Sequence, residues 1–295
     1  MSAQHVARML AFQESQVKPP TFGPGIYPGV DYATYAQIKA ARVSMLSGFD
    51  RSPAHAREQM LHGRESKALD FGTAYHCAVL EPERYPLAFV RGLEDNDRRF
   101  KVEKERYAAF CEQNRGRTVL DPEEWDRIEA MKVVLFSHET AAAFLTAEGP
   151  NEVVAVWDDK DTGERCKGRQ DALRAYLGWT WIADIKSTTD ASPAGWAREV
   201  AKWGYAEQAA FYLDGLYALQ PRERRFVWIA QEKEPPFAVA VHEPDEATLA
   251  EGRRRYRRHL RAYAEAIRTD QWPAYPAGLH QTTLPKWEIT QEESE

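Results

Sequence analysis

In the run WIADIKSTTD, residues 181–190, Asp184 and Lys186 stand two apart at the end of an otherwise apolar stretch. On a strand, alternate residues share a face, so Ile182, Asp184 and Lys186 project to one side while Trp181, Ala183 and Ile185 project to the other and pack inward. The Ile185 carbonyl lies between the two polar side chains as a third oxygen. A further acid, Asp171, stands in KGRQDAL on the preceding strand. Antiparallel pairing across a short turn at 177–179 brings residues 171 and 184 nearly opposite, at a cross-strand separation of about 5 Å. Two carboxylates that close repel unless a proton or a cation sits between them. A hard divalent ion suits them: Mg²⁺, with Mn²⁺ as a substitute, takes oxygen ligands and binds through one or two carboxylates plus a substrate phosphate. Lys186 would then orient an attacking water or neutralise phosphate charge while the metal acts as Lewis acid. The spacing alone does not decide, because Glu65/Lys67 and Asp158/Lys160 repeat it. An exposed Asp–Lys pair, with Asp171 in an unrelated ion pair, would read the same.

Two helical segments add to this set. In SKALDFGTAYHCAVL, Gly72 and His76 are four apart and share a face with small neighbours, so the helix can approach another backbone closely and present the imidazole there. In the segment 205–219, Tyr205, Gln208 and Tyr212 form one stripe. Two aromatics at that spacing suit a core, whereas the amide between them suits a phosphate or a base edge.

The elements that must position these residues follow from the change of period along the chain. Residues 1–30, with four prolines among glycines, read as an irregular arm. From about Tyr32 to Leu145 the pattern is helical, with a polar loop at 91–105. After Pro150 the period shifts from near 3.6 to near 2. NEVVAVW (151–157), CKGRQDALRAY (166–176) and WTWIADIK (179–186) read as an antiparallel meander. Ser192 followed by Pro193 starts a helix, and a second helix runs to Leu219 before Pro221. RRFVWIAQEK (224–233) and PFAVAVHE (236–243) are two more strands, and a charged helix spans 245–269. The helical crossover between the third and fourth strands permits parallel pairing, so the reading is an α/β fold with a mixed central sheet flanked by helices and an α-rich N-terminal part.

Composition excludes several classes. No apolar run is long enough for a membrane span, and the N-terminus lacks the order of a secretory signal, so a cytoplasmic location is the expectation. Cys77, Cys111 and Cys166 are the only cysteines and form no CxxC, which leaves free thiols rather than a disulfide framework or a four-cysteine metal site. With 39 basic and 45 acidic residues the net charge is −6, against coating of nucleic acid by bulk charge. The densest basic stretch, Arg253 to Tyr263, reads either as a solvated helix face or as a phosphate-contacting surface.

GTAYH, KGRQD, DIK and GYAEQAAFYLDGL, in that order, with the early SPAHARE and the closing WPAYPAG and LPKW, resemble the RecE-type exonuclease VIII domain of phages and prophages. That domain belongs to the PD-(D/E)xK nuclease superfamily, with lambda exonuclease and the RecB nuclease domain. The resemblance spans roughly residues 30–285 and implies one nuclease domain over 31–285: a helical part 31–150, a catalytic core 151–243 and a C-terminal helix 245–269, followed by a tail. It implies that His76, Asp171, Asp184 and the Ile185 carbonyl hold Mg²⁺, that Asp171, Asp184, Lys186 and His76 are catalytic, and that Gln208, Tyr212 and Tyr205 touch DNA. Lys167 and Arg169 of KGRQD are expected to join the DNA contacts. Gln170 sits where the family places proline, and Glu152, which matches an auxiliary acid of some relatives, is left outside the set. The activity implied is a Mg²⁺-dependent 5′→3′ exonuclease on duplex DNA that leaves 3′ single strands for an annealing protein of the RecT type, working as a homo-oligomer. The rivals are a structure-specific or single-strand nuclease on the same fold and a non-catalytic DNA-binding recombination protein.

Overall fold

The computed structural model describes residues 21–62, 67–94 and 100–284. Residues 1–20, the tail, and the middle of the polar loop read at 91–105 lie outside the described residues. The sheet has six strands in the order β1 (Gly25–Tyr27), β4 (Asn151–Asp158), β5 (Arg165–Tyr176), β6 (Trp179–Thr188), β7 (Arg225–Glu232) and β8 (Val239–His242). All neighbours are antiparallel except β6 and β7, which run parallel from Trp181↔Arg225 to Thr188↔Glu232. The meander and the mixed sheet are therefore as the sequence reads. Two short strands, β2 (Phe89–Arg91) and β3 (Thr118–Leu120), pair parallel apart from the main sheet.

The helices before the sheet are α1 (Tyr32–Gln37), α2 (Val43–Leu46), α3 (Pro53–His62), α4 (Lys67–Leu80), α5 (Tyr85–Ala88), α6 (Lys101–Gln113), α7 (Pro122–Ser137) and α8 (Glu139–Thr146). A 3₁₀ turn, Ser47–Asp50, links α2 and α3. The crossover from β6 to β7 carries α9 (Pro193–Trp203) and α10 (Tyr205–Leu219), and α11 (Glu246–Thr269) closes the described fold. Local chemistry sets the ends. Ser192 caps α9 through its hydroxyl, which accepts from Gly195 N at 3.1 Å, with Pro193 at the first position. Gly204, at φ 71, ends α9 and starts α10 in a left-handed conformation that glycine adopts without a Cβ clash. Asp245 caps α11 by accepting from Thr248 N at 2.7 Å.

Both faces of the sheet are covered, which is why its central strands read as near-continuous apolar runs. On one face Ala155, Trp157, Ile182, Phe226 and Trp228 pack against Trp196, Phe211, Leu216, Tyr256 and Leu260 of α9, α10 and α11. On the other, Ala172, Trp181, Ala183, Ile185, Val227 and Ile229 pack against Tyr75, Ala78, Met131, Leu135 and Phe144 of α4, α7 and α8. The inward set of β6 lies as expected. Its other face is not free, however, because Ile182 lies in the core formed with α9, α10 and α11, and Asp184 is 0% exposed. Gly25–Tyr27, read as irregular arm, instead adds an edge strand along β4, and Val154 and Val156 join Tyr35 and Ile38 in a third small cluster there. Among the described residues, no helix is long and apolar enough to cross a membrane.

Arg174 joins the helical half to the sheet. Buried on β5, it donates to the carbonyls of Phe144 (3.0 Å), Leu145 (3.2 Å), Gly149 (2.6 Å) and Pro150 (3.1 Å), satisfying the C-terminal end of α8 and the turn into β4. α11 lies closely against α10. A methyl group at Gly252 would meet the Ala206 carbonyl oxygen at 2.1 Å and Glu207 N at 2.9 Å. Gly252→Ala is therefore expected to force these helices apart and cost about 1–3 kcal/mol of stability, read as a lowered melting temperature; unchanged melting would show that the crossing adjusts.

Candidate active site

The last regular pair of β5 and β6 is Ala172↔Ala183, so Asp171 and Asp184 are next in register where the ladder ends. Asp171 takes over the ladder's role with its side chain: Oδ2 accepts from Ile185 N at 2.8 Å. Within a strand, the N–H and C=O of one residue point to the same neighbour. By that rule the Ile185 carbonyl lies on the same side as its N–H, the side of Asp171. β5 also changes phase here. Cys166 faces the core of α10 and α11, yet Ala172 faces the core of α4 and α7. An even spacing keeps its face in a regular strand, and the register with β4 is the same on both sides of the change, so β5 turns over without an inserted residue. Across from the phase change, between the pairs Asn151↔Ala172 and Val153↔Gln170, stands Glu152 at φ 53, a left-handed conformation unusual for a side chain with a Cβ.

α4 brings the imidazole. His76 Nδ1 lies 3.4 Å from Asp171 Oδ2. The close approach expected at Gly72 does not occur, since a methyl group there would meet nothing within 4 Å. The helix is instead seated by Ala74, Tyr75 and Ala78, all buried, and by the Tyr75 hydroxyl, which donates to Gln231 of β7 while the Gln231 amide donates to Met131 O at 2.9 Å. His76, Glu152 and Asp171 each offer a ligand atom, all within 4.8 Å of one another. Glu152 is the acid the sequence reading left out, although the turn at 158–164 already folds β4 back so that 152 falls across from 171.

The charges in this pocket are strongly biased. Burial pushes the Asp184 carboxyl up to about 6, with Asp171 adding to the rise and Lys186 opposing it. Burial also works against the Asp171 charge, but His76, Lys186 and the Ile185 N–H hold it down at about 2. Burial and Asp171 raise Glu152 to about 7 against the pull of Arg169. For Lys186, burial favours the neutral amine, yet Asp184 and Asp171 outweigh it and hold the ammonium charged. Lys186 Nζ donates to Asp184 Oδ2. The other oxygen, Asp184 Oδ1, is buried without a partner. An unsatisfied buried carboxylate oxygen beside a second carboxylate is the environment a divalent cation satisfies. The residues present therefore fit a metal ion.

The stripe of α10 lies over this pocket. Lys186 Nζ sits 5.2 Å from the centre of the Tyr205 ring, and Gln208 Nε2 donates to the Tyr212 hydroxyl at 3.3 Å. Tyr212 is packed flat on β5, because a methyl group at Gly168 would meet its ring at 2.8 Å. Beneath it, the amide of Gln170 is fully buried with neither polar atom partnered.

Two expected DNA contacts are corrected by their surroundings. Lys167 is 3% exposed and its ammonium donates to Tyr35 O and Ile38 O, both at 2.7 Å, and to Ala36 O at 3.4 Å. All three of its donors cap the end of α1, so none is left for a phosphate. Arg169 turns inward to Glu152 at 2.9 Å, with Glu81 at 3.7 Å and the Tyr32 ring at 5.6 Å, and so balances the acidic pocket. The basic helix resolves the same way: Arg253 pairs with Asp214, Arg254 and Arg255 with Glu251, Arg257 with Asp161, and Arg258 with Asp50.

Comparison with known proteins accords with this arrangement. A protein from Eubacterium rectale described as a "putative exonuclease" superposes with a TM-score of 0.53 at 13% identity, over 84% of this chain and 94% of its own. The protein SSO0001 aligns with a TM-score of 0.27 at 16% identity, over 73% of this chain and 84% of its own. No curated protein matches. The first likeness shows the shared fold, and the second carries no weight at that score. The family model of the PDDEXK-like domain of unknown function matches residues 42–282, and the chain belongs to that family of PD-(D/E)xK folds.

Proposed function

We propose that the protein is a Mg²⁺-dependent deoxyribonuclease that hydrolyses phosphodiester bonds by in-line water attack, acting as a 5′→3′ exonuclease on duplex ends. The observation that carries this reading is the buried pair Asp171 and Asp184, next in register on adjacent strands, with Asp184 Oδ1 unpartnered and Lys186 on its other oxygen. A bound Mg²⁺ or Mn²⁺ would supply Lewis-acid polarisation of the phosphate and an acidified water. Asp171, Asp184 and the Ile185 carbonyl would hold it, with His76 and Glu152 at its border. Lys186 is held as a cation by the two aspartates, so its part is to stabilise negative charge growing on the phosphoryl oxygens rather than to remove a proton. Tyr205 backs that ammonium with its ring face, and Gln208 offers an amide to the strand beside it. The nuclease fold of the family supports the reading, and a strand-annealing partner, a homo-oligomer that encircles DNA, and a cytoplasmic setting extend it.

A structure-specific nuclease differs from this in substrate alone. End-labelled blunt duplex, 5′-overhang duplex, single strand and closed circle, compared with Mg²⁺, Ca²⁺ and chelator, separate the two: the exonuclease degrades linear duplex and spares the circle, and rapid cutting of the circle would overturn the exonuclease assignment. Lys186→Ala is expected to lower the cleavage rate by at least about a hundredfold while Mg²⁺ and DNA still bind; turnover near wild type would remove the lysine from the mechanism.

The electrostatics also set a pH dependence. His76, Asp184 and Glu152 all titrate above their ordinary values in the metal-free protein. A group raised on folding stabilises below its unfolded value, and that contribution is lost as pH rises through the folded one. The metal-free protein should therefore lose melting temperature between about pH 5 and pH 8, while Asp171, shifted the other way, contributes its loss only in acid, below about 4. Mg²⁺ should restore the loss by binding the native state, and more so at pH 8 than at pH 5. In Asp184→Asn the Mg²⁺-induced rise should largely vanish. A rise retained in full would place the metal elsewhere.

A further inference from the structure

The first turn of α10 carries Tyr205 and Gln208 toward the site, and at about 100° per residue Glu207 points from the far side of the same turn. Glu207 is buried, and its Oε2 lies 3.4 Å from Nδ1 of His259 on α11, a 1% exposed residue whose Nδ1 makes no hydrogen bond, so the contact is one of proximity and charge. On the other ring nitrogen, His259 Nε2 lies 3.1 Å from Asp50 Oδ1, at the end of the 3₁₀ turn. His259 thus lies between two carboxylates from two elements, about two turns along α11 from the point where Gly252 lets that helix touch the backbone of Ala206 and Glu207.

These three groups fall within metal-binding distance of one another, but the arrangement is not a chelate. The carboxylates stand at opposite nitrogens, whose lone pairs diverge, so one ion could not meet both and the ring. A cation is already in place: Arg258 Nη2 lies 3.1 Å from Asp50 Oδ1 and 3.0 Å from His259 Nε2. Glu207 in turn sits in the first turn of its own helix, with Oε1 within 3.5 Å of where a Cβ on Gly204 would lie, so its negative charge faces the positive end of α10. The group therefore acts as a strut. It ties the start of α10 to α11 and to the 3₁₀ turn on the side opposite Lys186.

We propose that His259, through Glu207, is a positioning residue for the reaction: the strut fixes the first turn of α10 so that Tyr205 stays over Lys186 and Gln208 stays aligned beside it. This rests on the nuclease reading above. Neither residue touches the reacting atoms.

The test separates positioning from stability. A buried polar pair can often be replaced by apolar residues without loss of stability, so Glu207→Leu/His259→Leu should fold with a melting temperature near or above that of wild type. Its kcat on linear duplex should fall about tenfold to a hundredfold, with KM for DNA and Mg²⁺ affinity unchanged. Independently of activity, the ¹⁹F resonance of 3-fluorotyrosine at position 205 should shift in this variant relative to the same label in the otherwise wild-type chain. Should the double variant not fold, the near-isosteric Glu207→Gln takes its place, with the same split between kcat and KM expected. A folded variant with wild-type kcat and an unshifted resonance overturns the inference. Absence of any Mg²⁺- or Mn²⁺-dependent cleavage by the wild type would instead sink the nuclease reading, leaving the resonance to judge the strut alone.

Discussion

Two carboxylates from adjacent strands, sealed from water by helices on both sides, are the constraint around which this chain is built. Mutual repulsion and desolvation make Asp171 and Asp184 costly neighbours. The protein offsets the cost in part. Lys186 serves Asp184, the Ile185 N–H serves Asp171, and His76 approaches Asp171 from α4. What is left over, an unpartnered oxygen on Asp184 and a Glu152 raised by burial and by Asp171, is what a metal ion would complete under the proposed function. The two cores have matching tasks: one seats α4 and its histidine, the other lays α10 over the lysine.

Cations elsewhere in the chain are mostly committed to internal acids or carbonyls. Lys167 closes the end of α1, Arg174 the end of α8, and Arg169 the acidic pocket itself. The arginine-rich run on α11 reads as a basic patch in one dimension, but in three it is a line of ion pairs with Asp50, Asp161, Asp214 and Glu251. Local density of Lys and Arg is therefore a poor guide to free positive charge on this protein.

Much of this was legible in the sequence, and the reason is physical. From Pro150 onward, periods of 2 and 3.6, Ser192–Pro193 and Pro221 are short-range signals, and the strands and helices fall within a few residues of where those signals place them. The facing of Asp171 and Asp184 was legible because a short turn leaves little choice of register. What could not be read were features that depend on partners far along the chain. β1 is three residues long and becomes a strand only because β4 offers an edge. The burial of Lys167 depends on α1, 130 residues earlier. Gly72 has the composition of a close contact, yet tertiary packing assigned that contact to Ala74 and Tyr75. Glu152 is an intermediate case, since its place across from Asp171 follows from the hairpin, while its left-handed backbone does not.

Under the proposed function the cation binds in the Asp171–Asp184 pocket. An anomalous difference map from a Mn²⁺-soaked crystal tests it most directly. The prediction is a peak at about 2.1–2.3 Å from carboxylate oxygens of both aspartates, with the Ile185 carbonyl turned toward it. A peak confined to the Asp50–Glu207–His259 group, or no ordered peak between the two strands, would contradict it.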